Sequence, residues 1–187
     1  MCLILLAWRA HPDYPLVVAA NRDEFFSRRT AAADFWDDAP EVLAGRDLEA
    51  GGTWLGITRS GRFAALTNYR DPSRNKPGAP SRGELVSRFL TGNMAPQAYL
   101  SELESGADRY NGFNLIFGDQ DGLWCFSNCG EGEQLLAPGV YGLSNHLLDT
   151  PWPKVARGKS ALGAALQALP DEAPLFGLLR DDRIAPD

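Results

Sequence analysis

Two apolar segments near the amino end decide the fold, CLILLAW at residues 2–8 and LVVAAN at residues 16–21. Each is a nearly continuous apolar run, which is the pattern of a β-strand that is covered on both faces. The intervening text RAHPDYP carries two prolines and therefore predicts a turn. We expect the two segments to pair as antiparallel strands.

Outward from this pair, turn signals separate further strands and helices. Residues 22–52 are polar and charged, which predicts an irregular segment. The capping-box pattern Ser81-x-x-Glu84 predicts the start of a helix, and Asp171 is predicted as the N-cap of the last helix. Further strands are predicted as hairpins at residues 53–58 with 62–68, 113–117 with 123–128, and 134–136 with 140–143. Helices are predicted at residues 81–92, 96–105, 153–169 and 172–179.

Blocks of antiparallel hairpins that alternate with helix pairs predict the fold class α+β, with the helices packed on sheet faces. The length of 187 residues is that of one domain, so a single domain over residues 1–187 is expected. Cys125 and Cys129 lie four residues apart in a predicted strand, about 13 Å at ~3.3 Å per residue. That separation is too long for a disulfide, so both are predicted to be packing residues.

The composition excludes several classes of partner. Eighteen Lys and Arg against 24 Asp and Glu give a net charge of -6, which opposes binding along a phosphate backbone and predicts no nucleic-acid partner. Residues 2–8 are too short for a membrane span and lack the basic flank of a signal peptide, so a cytoplasmic protein without a span is predicted. With two histidines and no CxxC pair, no metal is predicted.

Cys2 is the first candidate nucleophile. If Met1 is removed, Cys2 becomes the amino terminus and carries both a thiol and a free α-amine. An α-amine has a pKa of ~7.7 to 8.0, so at neutral pH it can accept the thiol proton without the help of a histidine. The alternative is a small buried residue that begins a core strand, and position alone does not separate the two interpretations.

The tetrapeptide NRDE at residues 21–24 ends the second predicted strand. If the first two strands form a hairpin, Arg22 and Asp23 lie near Cys2. Arg22 would then lower the pKa of the thiol, and Asp23 would bind the new ammonium group. The alternative is a solvated charged turn in which Arg22 pairs with an acid.

Three further polar residues follow predicted strands. Asn68 and Asn145 have side-chain amides that can donate to a developing oxyanion, although Asn at a strand end is also a common turn former. His146 is a candidate general base or haem ligand, and a single His in this position is also typical of a hydrogen-bonded surface residue.

Six segments, in order, together resemble the NRDE family. The matching text, spread over residues 1–155, is MCLILLAW, ANRDEFF, GGTWLGI, ALTNYRDP, RGELV and LSNHLLDTPWPKV. The family is similar to N-terminal-nucleophile hydrolases, so the resemblance implies a four-layer αββα sandwich with antiparallel sheets. Family members usually continue for several tens of residues, so the resemblance implies that the domain in this chain lacks carboxyl-terminal strands.

The chain looks most like the penicillin V and bile-salt amidase branch of those hydrolases, in which removal of Met exposes a nucleophilic Cys. The resemblance therefore implies that Cys2 is the nucleophile and that Arg22 and Asp23 flank it. It further implies that the amides of Asn68 and Asn145 stabilise the oxyanion.

The resemblance implies two functions. Members of the family are implicated in moving haem and in handling acyl-CoA lipids, which predicts intracellular haem trafficking, or binding of haem or another lipophilic small molecule. Cys2 or His146 would ligate the iron, and haem would be a reversible cargo because no CxxCH motif is present. The cations for the haem propionates would come from Arg22, Arg28, Arg29 and Arg46. The alternative is an amidohydrolase in which Cys2 cleaves a linear, non-peptide C–N bond of an amide substrate.

Overall fold

The computed structural model describes residues 2–130 and 132–180, which form two compact units. The first unit is built from the chain up to Asp23 and from Leu136 onward, and the second unit is Glu24–Leu135. Both contain an antiparallel sheet and helices, so the prediction of an α+β fold with antiparallel sheets is confirmed.

The strands are β1 (Leu3–Trp8), β2 (Leu16–Asn21), β3 (Thr30–Trp36), β4 (Ala39–Asp47), β5 (Leu55–Thr58), β6 (Phe63–Asn68), β7 (Phe113–Gly118), β8 (Leu123–Ser127), β9 (Gly132–Leu135) and β10 (Gly139–Leu143). The helices are α1 (Gly83–Thr91), α2 (Pro96–Gly106), α3 (Pro153–Leu166) and α4 (Ala173–Leu178). Short 3-10 helices lie at Pro72–Arg74 and Ala107–Arg109. No helix within the described ranges combines the length and the apolar character that crossing a membrane would need.

In the first unit, β1 is the central strand of a three-stranded sheet, between β10 and β2. Ile4, Leu5 and Leu6 are fully buried, because both edges of this strand are paired and both faces are covered. Leu162 of α3 packs in one cluster with Leu5. Gly158 allows α3 to approach β1 closely, since a Cβ at that position would lie 2.8 Å from a methyl group of Leu5.

In the second unit, seven strands follow one another in chain order from β3 to β9. Three aromatic rings form the centre of its core, Phe89 of α1, Tyr99 of α2 and Phe117 of β7, with ring centroids 5.1 to 5.4 Å apart. These are the tilted and edge-to-face contacts that aromatic pairs prefer. The buried hydroxyl of Tyr99 donates to the carbonyl of Leu85 at 2.7 Å, so burial leaves no unsatisfied donor there.

The prediction that residues 22–52 are irregular is wrong, because β3 and β4 lie within them. β3 is an edge strand, and all of its residues except Trp36 are exposed. An exposed edge strand does not need the alternating apolar residues that mark a strand in a sequence. The segment therefore looked polar although its backbone is paired with β4.

The predicted pairing of residues 134–136 with residues 140–143 is also wrong. β9 pairs with β8 in the seven-stranded sheet, whereas β10 pairs with β1. The reason is that β1 is apolar on both faces and its second edge needs a partner, which β10 provides. The hairpins β1–β2, β5–β6 and β7–β8 are confirmed.

Two predicted helix caps differ in detail. At α1 the N–H of Glu84 donates to the Ser81 carbonyl instead of its hydroxyl, and the N-cap residue is Arg82. The Glu84 carboxylate instead accepts a short hydrogen bond from the Tyr110 hydroxyl. At α4 the Asp171 carboxylate does accept from the N–H of Ala173, at 3.0 Å, although the helix begins one residue later than predicted.

Candidate functional site

Cys2 immediately precedes the central strand of the first unit. β1 and β2 are antiparallel, with Leu3 opposite Asn21. Continuing this register by one residue places Arg22 opposite Cys2, with Asp23 next along the chain. The hairpin thus brings these residues together as the sequence argument predicts, while their catalytic roles stay predictions. The Arg22 side chain is half-buried and the Asp23 side chain is exposed.

The other side of Cys2 faces the end of β10. Ile4 pairs with Leu143, so continuing this register by two residues places Asn145 opposite Cys2. Asn145 is buried, with only 8% of its surface exposed, and its Oδ1 lies 3.5 Å from the Ser144 hydroxyl. A buried amide needs partners, so Asn145 and Ser144 form a polar group beside an otherwise apolar sheet.

The Cys2 carbonyl accepts two side-chain hydrogen bonds. The Ser144 hydroxyl donates to it at 2.7 Å, and the ammonium of Lys154 donates to it at 3.0 Å. A carbonyl oxygen has two lone pairs, and both are occupied here. The main chain of Cys2 is therefore fixed by groups that lie more than 140 residues away in the sequence.

The Cys2 side chain is 7% exposed, but its surroundings are polar. Its thiol donates a hydrogen bond to the Asp23 carboxylate, and the Asp23 backbone N–H donates to the sulfur. Burial, together with the side chain of Asp23, raises the pKa of the Cys2 thiol to about 11. Burial raises the pKa of Asp23 too, but the hydrogen bonds that its carboxylate accepts, first from the Cys2 thiol, leave it below its ordinary value.

The raised pKa differs from the expectation that Arg22 lowers the pKa of the thiol. The physical reason is that burial is the largest influence on the pKa of the Cys2 thiol in the unprocessed sequence, which retains Met1. The thiol is therefore protonated at neutral pH in this form.

Lys154 is the member of this site that the sequence argument missed. It is the second residue of α3, and its half-buried ammonium also lies 5.6 Å from the centre of the Trp152 ring. Burial lowers the pKa of Lys154 below its ordinary value, while the charges of Asp23 and Cys2 oppose that change. The only signal in the sequence was a cation in the first turn of a predicted helix, where the helix dipole disfavours positive charge.

His146 lies just beyond Asn145 in the first unit. Its Nδ1 is 2.9 Å from the Thr150 hydroxyl, and its ring centroid is 6.0 Å from that of Trp152. The ring is thus held by a hydrogen bond and an aromatic neighbour, as the surface interpretation predicts. Its role as a base or haem ligand stays a prediction.

The remaining predicted site residues belong to the second unit. Asn68 is the exposed last residue of β6. Arg28 donates to Asp47 at 3.0 and 2.6 Å, and Arg46 donates to both oxygens of Asp38 at 2.5 and 2.8 Å. Two of the four arginines predicted to bind haem propionates, Arg28 and Arg46, therefore already pair with carboxylates, and their roles in binding a cofactor stay predictions.

The remaining reactive groups are possible metal ligands and free thiols. Within residues 2–130 and 132–180, no three His, Cys, Asp or Glu side chains come close enough to hold a metal ion. Cys2, Cys125 and Cys129 are all free thiols, with Cys125 buried in β8 and Cys129 half-buried just after it. The site around Cys2 can therefore offer a thiol, the Asp23 carboxylate, the Asn145 amide and the Lys154 ammonium.

The fold is shared with a solved hydrolase. It is similar to the Caenorhabditis elegans N-acylethanolamine-hydrolyzing acid amidase ortholog, with a TM-score of 0.59 over 100% of this chain and 88% of that one. The two sequences are only 10% identical, so this similarity shows the fold alone. The chain thus has an α+β fold of the class found in N-terminal-nucleophile hydrolases.

The chain belongs to the Transport and Golgi organisation 2 family, whose model matches residues 1–187. It is 45% identical to the mouse Transport and Golgi organization 2 homolog over 195 aligned residues, which cover 96% of this chain and 70% of the mouse protein. The human homolog is 44% identical over 195 residues, with the same coverage. The resemblance to the NRDE family is therefore confirmed.

Proposed function

We propose that this protein is an N-terminal cysteine amidohydrolase that cleaves linear C–N amide bonds after removal of Met1. The observation that carries this proposal is the position of Cys2 immediately before the central strand, where the register of the two neighbouring strands, continued past their ends, places Arg22 and Asn145 opposite it. The Asp23 carboxylate, which accepts a hydrogen bond from the thiol, adds a group that can bind an ammonium. The amidase-like fold supports the same class of reaction.

In the proposed reaction, the free α-amine of Cys2 accepts the thiol proton, and the thiolate attacks the carbonyl carbon of the amide. The negative charge moves to the carbonyl oxygen, where the side-chain amide of Asn145 donates a hydrogen bond to it. The C–N bond then breaks as the ammonium returns the proton to the leaving amine, and a thioester remains on Cys2. Water, deprotonated by the α-amine, attacks the thioester, which releases a carboxylic acid and restores the thiol.

Removal of Met1 is the decisive step, because the thiol of the unprocessed chain has a pKa of about 11. The processed residue would carry an ammonium group beside the sulfur, and a neighbouring positive charge lowers the pKa of a thiol. Asp23 would then bind the ammonium instead of the thiol. We therefore expect that processing converts an inert thiol into a reactive one.

The test combines the mass of the protein with amide turnover. Protein from cells should lack Met1, and wild type should release amine from a panel of N-acyl amides that includes N-acylethanolamines, while Cys2→Ala should not. Cys129→Ala is the matched control, since it removes a thiol from the second unit. An intact Met1 in protein from cells, or equal amine release by wild type and Cys2→Ala, would overturn the proposal.

A second candidate function is reversible binding of haem or another lipophilic small molecule, such as an acyl-CoA, in intracellular trafficking. The observation that favours it is the pair Phe25 and Phe26, whose side chains are 81% and 110% exposed. Adjacent exposed phenylalanines are typical of a surface that binds an apolar partner. Arg28, whose N–H donates to the Phe25 carbonyl at 2.9 Å, supplies a cation in the same turn.

Hemin titration tests this second function. Wild type should shift the Soret band, and a Phe25→Ser, Phe26→Ser double variant should bind hemin at least about tenfold more weakly, because each buried Phe contributes roughly 1.5–3 kcal/mol. Phe176→Ala is the control, since that side chain is also 61% exposed but lies on α4. A spectrum that excess hemin leaves unchanged would exclude haem as a cargo.

Several finer expectations accompany these proposals. The resemblance implies a four-layer αββα sandwich and a small-molecule partner. The length predicts a single domain over residues 1–187, and the composition predicts a cytoplasmic protein without a nucleic-acid partner. Each remains a prediction for this chain. A solution structure of the full chain and imaging of the tagged protein in cells would test them.

A further inference from the structure

A half-buried cation lies at the site that the proposed function places at Cys2. The Lys154 ammonium donates to the Cys2 carbonyl at 3.0 Å. A Ser144 hydroxyl already donates to the same oxygen at 2.7 Å, so a second donor is not needed to satisfy this acceptor. The lysine therefore brings a positive charge where a neutral hydrogen bond already exists.

The position of Lys154 is unfavourable for local structure. It lies in the first turn of α3, where the helix dipole disfavours a cation. Burial also disfavours its charge, which lowers the pKa of the ammonium. The charges of Asp23 and Cys2 oppose this lowering, and the hydrogen bond to the Cys2 carbonyl places the ammonium beside that residue.

We propose that Lys154 is a positioning residue of the Cys2 site, which fixes the main chain of Cys2 and holds a positive charge near its sulfur. This inference rests on the proposed function in one respect, that Cys2 is the nucleophile. A cation at this place favours the thiolate over the thiol. It also disfavours protonation of the adjacent α-amine once Met1 is removed, which keeps that amine able to accept the thiol proton.

Lys159, on the same helix, provides a matched control. Its ammonium forms an ion pair with Asp149 at 2.7 Å, and its side chain is 30% exposed. Lys154 and Lys159 thus share a helix and a residue type but have different partners. A general effect of removing a lysine from α3 would appear both when Lys154 is replaced and when Lys159 is replaced.

The experiment measures alkylation of Cys2 by iodoacetamide as a function of pH, with the modified peptide quantified by mass spectrometry so that Cys125 and Cys129 do not contribute. Lys154→Met should shift the midpoint of the alkylation rate to a higher pH by about one unit and slow alkylation at pH 7 about tenfold. At a pH below the thiol pKa of both proteins, an increase of one pKa unit lowers the thiolate fraction about tenfold. Lys154→Gln should behave like Lys154→Met. Lys154→Arg should stay within about threefold of wild type, and Lys159→Met should match wild type.

Several outcomes would overturn the inference. A wild-type pH profile for Lys154→Met would mean that Lys154 acts only as a structural donor. Wild-type reactivity of Lys154→Gln would mean that a neutral donor suffices, and a tenfold loss in Lys154→Arg would mean that charge is not the property required. Far-ultraviolet circular dichroism of each variant establishes that the comparison is made between folded proteins.

The result is separable from amide turnover. If Lys154→Met shifts the alkylation profile but wild type cleaves no amide, the inference holds and the proposed hydrolase function fails. If wild type cleaves amides while the profile of Lys154→Met equals that of wild type, the function holds and the inference fails.

Discussion

Charged side chains lie both at the start of β1 and around the β3–β4 hairpin, but their surroundings shift the pKa of the cations in opposite directions. In the hairpin, hydrogen bonds to acids raise the pKa of Arg28 and of Arg46, so each cation is stabilised by its partner. At the start of β1, burial lowers the pKa of Lys154, and its ammonium donates to a backbone carbonyl. One region uses charge to hold a hairpin together, whereas the other keeps a cation in a place that disfavours it.

This difference separates charged groups that stabilise the fold from charged groups that are candidates for a chemical role. A charge that is fully compensated by a nearby opposite charge has a structural explanation. A charge that is held against burial and against a helix dipole does not, and such groups concentrate at sites that do chemistry. Three experiments test this difference between the two regions.

The largest effect is expected from Asp47→Asn in the hairpin. The Asp47 carboxylate accepts from Arg28 and from the backbone N–H groups of Glu49 and Ala50, and its side chain is only 13% exposed. Loss of its charge weakens all of these bonds, so urea unfolding should report a loss of about 1–3 kcal/mol. Asp38→Asn is the control, since the Asp38 side chain is 62% exposed and should lose less. Equal losses in the two variants would contradict a structural role that depends on burial.

An intermediate effect is expected when wild type and Asp47→Asn are compared as the pH falls. Burial raises the pKa of Asp47, but hydrogen bonds, first from Arg28, lower it below its ordinary value overall. Asp47 therefore stabilises the folded state above the unfolded pKa of about 3.9, and this stability is lost as the pH falls through the lower folded pKa. The difference in urea midpoint between the two proteins should be constant from pH 7 to pH 5 and shrink below about pH 4. A difference that persists at pH 2.5 would argue against the ion pair as its source.

The smallest effect is expected from Lys154→Met. Its loss removes one hydrogen bond of about 1 kcal/mol but also removes a cation from the start of α3, where it is disfavoured by a similar amount. The free energy of unfolding in urea should therefore change by less than about 1 kcal/mol. A loss of 3 kcal/mol or more would mean that Lys154 is chiefly a structural residue, and the contrast between the two regions would disappear.

Local patterns in the sequence predicted much of the fold. The β1–β2 hairpin was predictable because two apolar runs flank a turn with two prolines, and its register then placed Arg22 and Asp23 at Cys2. β3 was not predictable, because an exposed edge strand carries no periodic signal. The partner of β10 was missed because short strands are assigned by default to their neighbours in the sequence.

In the candidate site, only the contacts between residues of the same hairpin could be predicted from the sequence. Cys2 and Asp23 lie in one hairpin, so their contact follows from short-range pairing. The bond from Lys154 to Cys2 joins residues 152 positions apart, and it exists only because β10 pairs with β1 and α3 packs on that sheet. No spacing rule connects a lysine in PWPKV to the second residue of the chain.

The central position of β1 has a consequence for biosynthesis. A ribosome makes β1 more than a hundred residues before it makes β10, so the nascent amino end has at most one strand beside it for most of translation. A lone two-stranded hairpin is only marginally stable in water. An aminopeptidase that removes Met1 would therefore meet an accessible end, and Cys2 would gain its neighbours Ser144, Asn145 and Lys154 only after residue 154 has been made.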